Sequence, residues 1–133
     1  MLGYISHKNN GTKLKESEVA KMIEILQSKI HRAVVTDANL DYEGSITIPI
    51  DLIELAGLCA YQKVLVVDIN NGNRFETYVI ETLKEKHICL NGACARVAAI
   101  GDRVIIMAFQ YVESLPKNYE PTIIVLNENN EVI

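Results

Sequence analysis

Apolar and polar residues alternate along several short segments of the chain, and this alternation is the pattern of strands that bury one face. Residues 45–50 alternate in this way, whereas residues 64–69 form a continuously apolar run. Residues 70–73 read Asn-Asn-Gly-Asn and connect that run to a third candidate strand at residues 74–80. Because Asn and Gly accept the backbone conformations of tight turns, this connection predicts a β-hairpin.

Shorter segments carry the same signal. Residues 31–36 end in three β-branched side chains, which favour strands, and residues 37–41 have the composition of a turn. Apolar strand formers recur at residues 87–90, 104–108 and 122–126. We therefore expect four further strands.

Helical signals are few. Residues 51–56 contain helix formers followed by Gly57, which predicts one brief helix, and residues 91–97 predict a loop that enters a helical turn. Many short strands with little helix predict an all-β, or mainly β, fold: a small β-barrel with one or two short helices.

The amino-terminal segment differs from the rest. Residues 1–13 have no apolar period, so we predict no regular structure there. Residues 14–26 carry apolar side chains mostly on one helical face, with Ser17 as a candidate N-cap. This pattern predicts a short helix near residues 16–21.

Composition limits the number of domains and the classes of partner. A chain of 133 residues suits one domain, and tryptophan, the usual stacking platform for single-stranded nucleic acid, is absent. Residues 1–32 hold six Lys or Arg against three acidic residues, which is too sparse for a nucleic-acid patch. Neither a membrane span nor a signal peptide is recognisable, so we expect a cytoplasmic protein without nucleic-acid or membrane partners.

Three cysteines, Cys59, Cys89 and Cys94, occur without C-x-x-C spacing, and we expect them to be reduced thiols. His87-x-Cys89 together with Cys94 supplies three potential metal ligands. No fourth ligand follows at the spacing of a zinc site, so we expect no metal.

The junction between Gly44 and Ser45 lies at the mouth of the first predicted strand. Glycine has no Cβ, so it can adopt positive φ and leave its carbonyl open to close approach, while serine supplies a hydroxyl nucleophile. A strained Gly-Ser bond could therefore react with itself. The alternative is an ordinary turn, because Gly and Ser are common turn residues.

The surrounding motifs carry a family resemblance. The chain resembles the pyruvoyl-dependent aspartate 1-decarboxylases from about Met22 to its C-terminus. The motifs that carry the resemblance occur in the family's order and approximate spacing: KIHRA at 29–33, VT at 35–36, YEGS at 42–45, NGxRFxTY at 71–78, NGA at 91–93 and GDxVII at 101–106.

This resemblance implies a double-psi β-barrel over residues 22–133, preceded by an extension over residues 1–21. It also implies a homotetramer with sites between neighbouring subunits. The chain is then a proenzyme that is cut between Gly44 and Ser45, either spontaneously or with a maturation helper.

The resemblance further implies the chemistry. Attack by the Ser45 hydroxyl on the Gly44 carbonyl would leave a pyruvoyl group derived from Ser45 on the longer fragment. This ketone would form a Schiff base with L-aspartate and act as an electron sink for loss of CO2, which yields β-alanine for pantothenate biosynthesis. No separate cofactor or metal is needed.

Residues of the third predicted strand would act on the substrate. In the family the position of Tyr78 protonates the carbanion, and Arg74 lies on the same strand face because the two are four residues apart. We infer that Arg74 and Lys29 hold the retained side-chain carboxylate. Thr77 matches a substrate-contact position, yet alternation points it away from Tyr78, so a bulge, a twist or another subunit must reconcile the two.

Further candidates follow from the remaining motifs. Asn91, Gly92, Ala93 and Cys94 match the family's substrate-binding loop, although the family normally has a second alanine in place of Cys94. His31 and Tyr42 are expected to support the Gly44–Ser45 junction.

A hypothesis of a different class is also consistent with the sequence. In it, the chain is a non-catalytic β-barrel binding module whose Gly44–Ser45 turn stays intact. The assembled motifs favour the enzyme.

Overall fold

The computed structural model describes residues 21–133 and two short strands that precede them, β1 (Ser6–His7) and β2 (Thr12–Lys13). The two strands pair antiparallel, with Ser6 opposite Lys13. This pairing lies within residues 1–13, where the sequence predicts no regular structure. The helix predicted at 16–21 lies outside the described residues apart from its last position, which belongs to no regular element.

The described chain is mainly β, which confirms the predicted fold class with its one or two short helices. None of the helices among the described residues is both long and apolar enough to cross a membrane. The elements are β3 (Ile23–Val34), β4 (Asp37–Asn39), β5 (Ser45–Pro49), α1 (Ile50–Ala56), β6 (Lys63–Asp68), β7 (Arg74–Thr82), β8 (Cys89–Asn91), a 3-10 helix (Gly92–Arg96), β9 (Arg103–Val112) and β10 (Thr122–Val125).

The chain divides into two compact units. One comprises Met1–Ile25 and Gln110–Tyr119, in which the Gln110 side-chain amide donates a hydrogen bond of 3.3 Å to the Tyr119 hydroxyl. The other comprises Leu26–Phe109 and Glu120–Ile133 and contains the hydrophobic core and all of the candidate site residues.

Strands β3 to β10 form an eight-stranded sheet in the order β10-β3-β9-β6-β7-β5-β8-β4. The β10–β3, β5–β7 and β4–β8 pairs are parallel, whereas β6–β7, β6–β9 and β5–β8 are antiparallel. Such mixed pairing requires crossover connections rather than a simple succession of hairpins. It is consistent with the predicted small β-barrel.

The core follows the alternation seen in the sequence. Ile46 and Ile48 of β5 are fully buried. Val64 and Val66 of β6 and Val79 of β7 are each at most 1% exposed. Side chains two apart on a strand share a face, so these strands contribute one inward row each. The hairpin between β6 and β7 is confirmed, with Gly72 at φ 77° in its turn.

The apolar residues from 23 to 26, which in the sequence continue the helical apolar face of residues 14–22, belong to the twelve-residue strand β3. One sequence-based expectation is wrong. Residues 37–39, expected as a turn, form β4, which pairs in parallel with β8. In both cases the deciding factor is a pairing partner distant in sequence, which local composition does not encode.

Asn130 fastens the C-terminal segment to the rest of its unit. Its Oδ1 accepts a hydrogen bond from Val34 N at 2.7 Å, and its Nδ2 donates to Val34 O at 2.9 Å and to Lys86 O at 3.0 Å. The residue is buried and has φ 57°, a conformation that Asn tolerates better than most residues.

We expect Asn130→Ala to lower the free energy of unfolding by about 3 kcal/mol. Three hydrogen bonds are lost, and the partly buried Val34 N–H is left without its acceptor. Urea denaturation measures this change. Asn129→Ala, at the exposed neighbouring position, is the control and should change stability by less than about 0.5 kcal/mol. Equal effects of the two substitutions would contradict the assigned role.

Candidate active site

Ser45 is the first residue of β5 and is fully buried. It lies opposite Asn91 in the antiparallel β5–β8 pair, and Asn91 Nδ2 donates a hydrogen bond of 2.9 Å to Ser45 Oγ. The Ser45 hydroxyl in turn donates to Glu43 O at 3.1 Å. A buried nucleophilic hydroxyl is thus held by two hydrogen bonds beside the Gly44–Ser45 peptide bond.

The side-chain amide of Asn91 is itself held in one orientation. Its Nδ2 also donates to Thr47 Oγ1 at 2.9 Å, and its Oδ1 accepts a hydrogen bond of 3.3 Å from Cys89 Sγ. Burial, and after it the charge of Asp37, raises the pKa of the Cys89 thiol, so the proton needed for this hydrogen bond is retained. Asn91 therefore presents its NH2 group to Ser45.

Thr47 is absent from the sequence-based candidates. The signal was available, because Ser45 and Thr47 are two apart on a strand and therefore share a face. What the sequence does not show is that the Asn91 side chain contacts both hydroxyls.

Gly92 lies directly against the segment that precedes Ser45. A Cβ on Gly92 would meet Gly44 N at 2.7 Å, Gly44 Cα at 2.8 Å and Tyr42 O at 2.8 Å. Gly92 also has φ +63°, in the left-handed region. Two independent reasons therefore favour glycine at position 92, and its backbone contacts that of Gly44.

The conformational role expected of Gly44 belongs instead to Gly92. Gly44 is exposed, does not have positive φ, and has nothing within 4 Å of the position of an added Cβ. Gly44 therefore does not use the positive φ that glycine permits. Packing against Gly92, rather than left-handed backbone at Gly44, characterises the junction.

Tyr78 and Thr77 line a surface pocket of about 280 Å³ together with Lys63 and Glu76. The rings of Tyr78 and Tyr61 are stacked with centroids 6.2 Å apart. The β6–β7 register is continuous from Lys63–Tyr78 to Val67–Arg74, so the bulge considered for Thr77 is not present. Both Thr77 and Tyr78 are half-buried and border the same pocket.

Strand β7 also runs beside β5. Their parallel register begins with Ile46 opposite Val79, the residues that directly follow Ser45 and Tyr78. A second pocket, of about 350 Å³, is lined by Tyr42, Thr47 and Asn91 among others. The two pockets share no lining residue.

The two cations expected to hold a carboxylate lie on different strands. Arg74 begins β7 and is exposed, and Lys29 lies half-buried in β3. Within the described part of the chain, neither forms an ion pair, because the pairs present there are Lys63–Glu76 and Lys86–Glu131. Both charges are thus unneutralised by a neighbouring carboxylate.

His31 lies in β3 opposite Val125 of β10. Its Nδ1 is buried and has no hydrogen-bond partner among the described residues. Burial lowers the pKa of His31, and three neighbouring cations lower it further: Lys29, Arg32 and Arg103. The imidazole is therefore neutral at pH 7, and its predicted support of the junction stays a prediction.

The loop after Asn91 forms the 3-10 helix, as the predicted helical turn anticipated. Ala93 is exposed, whereas Cys94 is buried and belongs to the hydrophobic core. Cys94 lines neither of the two pockets described above. The Cys94 side chain, which is larger than the alanine expected in the family, therefore occupies volume in the core and not in either pocket.

A carboxyl pair lies beneath the turn that leads into β7. Asp68 Oδ1 accepts hydrogen bonds from Asn70 N at 2.8 Å and Asn71 N at 3.3 Å. Burial, followed by the nearby Asp102 carboxyl group, raises the pKa of Asp68, and the proximity of Asp68 lowers the pKa of Asp102. Asp68 Oδ2 is buried and has no hydrogen-bond partner among the described residues.

The same turn is tied to the segment that follows the 3-10 helix. Asn71 Nδ2 and Asn73 Nδ2 both donate to Val97 O at 3.0 Å, and Arg103 N donates to Asn70 Oδ1 at 2.7 Å. The turn before β7 and the segment that follows the 3-10 helix are therefore held together.

Comparison with known proteins agrees with these motifs. The family described as aspartate decarboxylase matches residues 21–133. The chain belongs to this family. An aspartate 1-decarboxylase of Campylobacter fetus is 55% identical over 111 residues, which cover 83% of this chain and 96% of that protein.

Other relatives agree. An aspartate 1-decarboxylase of Campylobacter concisus is 56% identical over 112 residues, covering 84% of this chain and 96% of that protein. One of Wolinella succinogenes is 53% identical over 112 residues, covering 83% of this chain and 93% of that protein. The predicted membership in the aspartate decarboxylase family is thereby confirmed.

We expect Gly92→Ala to destabilise the protein by more than the roughly 1–2 kcal/mol that left-handed backbone costs an ordinary residue, because the added methyl overlaps the backbone of Gly44. Gly57→Ala is the matched control: Gly57 has φ +71° and nothing within 4 Å of an added Cβ. Urea unfolding of both variants measures the difference. The same loss in both would mean that the close approach at Gly92 carries no energetic weight.

Proposed function

We propose that this chain is a self-processing aspartate decarboxylase whose catalytic group arises from Ser45. Membership in the family supports the reaction, and the arrangement of Asn91 and Gly92 around the Gly44–Ser45 bond supports the self-processing. The observation that carries the proposal is the buried Ser45 hydroxyl, oriented by Asn91 beside a peptide bond against which Gly92 packs. We assign this function to residues 22–133 and treat residues 1–21 as an extension.

In the proposed maturation, Ser45 Oγ attacks the Gly44 carbonyl carbon, the hydroxyl proton passes to the Ser45 nitrogen, and the amide becomes an ester. Elimination then removes the Ser45 Cα proton to water and breaks the bond between Ser45 Cβ and Oγ. It leaves a carboxylate on Gly44 and a dehydroalanine at position 45, and water converts this enamine into a pyruvoyl group with release of ammonia. The two hydrogen bonds to Ser45 Oγ support the attack because they restrict its rotation.

A pyruvoyl group fits the residues around position 45. The Asn91 side-chain amide places a polar hydrogen within reach of this position, and the buried site keeps bulk water away from it. When present, the group supplies a ketone that takes up the substrate amine and accepts electrons as CO2 leaves.

The remaining roles fall to side chains of this chain. Arg74 and Lys29 hold the side-chain carboxylate of L-aspartate, since neither cation is neutralised by a carboxylate among the described residues. Tight binding of the departing carboxylate would favour the ground state over the transition state, so these cations are assigned to the retained group. Tyr78 donates a proton to the carbon that has lost CO2, and the product is β-alanine, a precursor for pantothenate.

We further propose that the active protein is a homotetramer with its sites between subunits. The pocket of Tyr78 and the pocket beside Asn91 have separate linings in one chain, and a neighbouring subunit can bring the two sets of residues together. Large apolar side chains also remain exposed on one chain, including Tyr61 at 78% and Leu83 at 84%.

The three free thiols agree with residence of the protein in the reducing cytoplasm.

Intact mass of the purified protein under denaturing conditions tests the maturation. We expect two fragments divided between residues 44 and 45, the longer of which reacts with hydrazine at its new ketone. Ser45→Ala should give one uncut chain and no β-alanine, because the nucleophile is absent. Ser28→Ala, at another buried serine, is the matched control and should still be cut.

An uncut and inactive wild-type chain, even after incubation with cell extract, would sink the self-processing proposal and support a binding module with an intact Gly44–Ser45 turn. Cutting only in the presence of extract would assign the step to a maturation helper. Formation of β-alanine by Ser45→Ala would refute the role of Ser45.

We expect Tyr78→Phe to be cut normally but to lose roughly 100-fold or more in kcat, since the ring and its stacking persist while the acidic proton is lost. Tyr61→Phe, which alters the stacked partner in the same way, should retain activity. Steady-state assay of β-alanine formation on fully cut protein measures both. Similar rates for Tyr78→Phe and the wild type would exclude Tyr78 as the proton donor.

A further inference from the structure

Three side chains of different ligand types meet beside the candidate active site. Asp37 of β4 lies directly opposite Cys89 of β8 in their parallel pair, and His87 precedes β8 by two residues. One ligand atom from each side chain, an oxygen, a sulfur and a ring nitrogen, lies within 4.8 Å of the other two. The sequence suggested Cys94 as the companion of His87 and Cys89, but the fold supplies Asp37.

The spacing of these atoms is close to that of a metal site. With zinc bonds of about 2.0–2.3 Å, tetrahedral ligand atoms lie about 3.5 Å apart. The three atoms, which lie within 4.8 Å of one another, therefore need to approach by up to about 1.3 Å. Asp37 is exposed and His87 is half-buried, so rotation of these two side chains can supply the movement while Cys89 stays in place.

The set of donors selects the class of cation. A thiolate with an imidazole suits zinc and similar borderline cations, whereas Mg²⁺ and Ca²⁺ prefer a shell of oxygens. The three side chains also line the pocket of about 350 Å³ that borders Asn91. Water in that pocket can occupy the fourth position of a tetrahedral site.

Neighbouring groups lie within hydrogen-bond distance of two of the three ligands. The Thr36 hydroxyl lies 3.4 Å from His87 Nδ1 and is itself fixed, because it donates to Ile88 O at 3.1 Å and accepts from Ile88 N at 2.9 Å. Asp37 Oδ1 accepts a hydrogen bond of 2.8 Å from Ala38 N. Such outer contacts orient metal ligands in known sites.

We propose that Asp37, His87 and Cys89 form a binding site for a zinc-class divalent cation. The Cys89 thiol loses its proton to solvent as the sulfur–metal bond forms. Asn91 Oδ1 then loses the hydrogen bond that Cys89 Sγ donates to it. Because Asn91 also contacts Ser45, occupation of the site reaches the candidate active site through one side chain. Cation binding itself does not depend on the proposed function.

Equilibrium dialysis of the full chain against micromolar Zn²⁺, followed by metal analysis, tests the site. We expect one zinc per chain in the wild type and in the uncut Ser45→Ala variant. His87→Ala and Cys89→Ser should each weaken binding by at least tenfold, while Cys59→Ser, which removes an exposed thiol elsewhere, should leave it unchanged. Millimolar Mg²⁺ should not displace the zinc.

Two further measurements keep the outcome independent of folding and of the decarboxylase proposal. Co²⁺ in place of zinc should produce a thiolate-to-metal absorption band that is absent in Cys89→Ser, and circular dichroism checks that the variants are folded. In Ser45→Ala labelled with ¹⁵N-asparagine, zinc should shift the side-chain amide signal of Asn91. Zinc content that is zero in the wild type, or unchanged in folded Cys89→Ser, would overturn the site even if maturation and decarboxylation proceed as proposed.

Discussion

The close approach of Gly92 to the backbone of residues 42–44 is the constraint on which the candidate site depends. A side chain does not fit there without a shift of the backbone, because an added Cβ would lie 2.7 Å from Gly44 N, and the left-handed backbone adds a conformational cost. The contact brings the NGA loop against the Gly44–Ser45 bond. Asn91, one residue earlier, is thereby in register with Ser45.

A second level of structure holds this loop in position. The segment that follows it, at Val97, is attached to the β6–β7 turn by the side-chain amides of Asn71 and Asn73. That turn is supported by the buried Asp68, whose Oδ1 accepts hydrogen bonds from Asn70 N and Asn71 N. The same framework therefore controls where β7 begins and where the NGA loop ends.

The hydrogen-bond chain Cys89–Asn91–Ser45 distinguishes the junction from an ordinary Gly-Ser turn. Each member is buried, and each hydrogen bond defines the orientation of the next group. In a buried site an amide that is held at both ends does not rotate freely, so the hydroxyl it contacts is held in place before any reaction begins. The pocket beside Tyr78, by contrast, shares no lining residue with the pocket beside Asn91.

Local sequence alone determined the strands with strict alternation, the β6–β7 hairpin and the brief helix that ends at Gly57, because side-chain period and turn chemistry are properties of adjacent residues. Its ordered motifs also indicated the family and singled out Ser45, Asn91 and Gly92. Only the tertiary structure decided that β3 begins as a strand, that Thr47 joins Asn91, that Gly92 rather than Gly44 is left-handed, and that Asp37 meets Cys89. Each of these depends on pairing between segments tens of residues apart, and no local pattern specifies which strand edges meet or in which register.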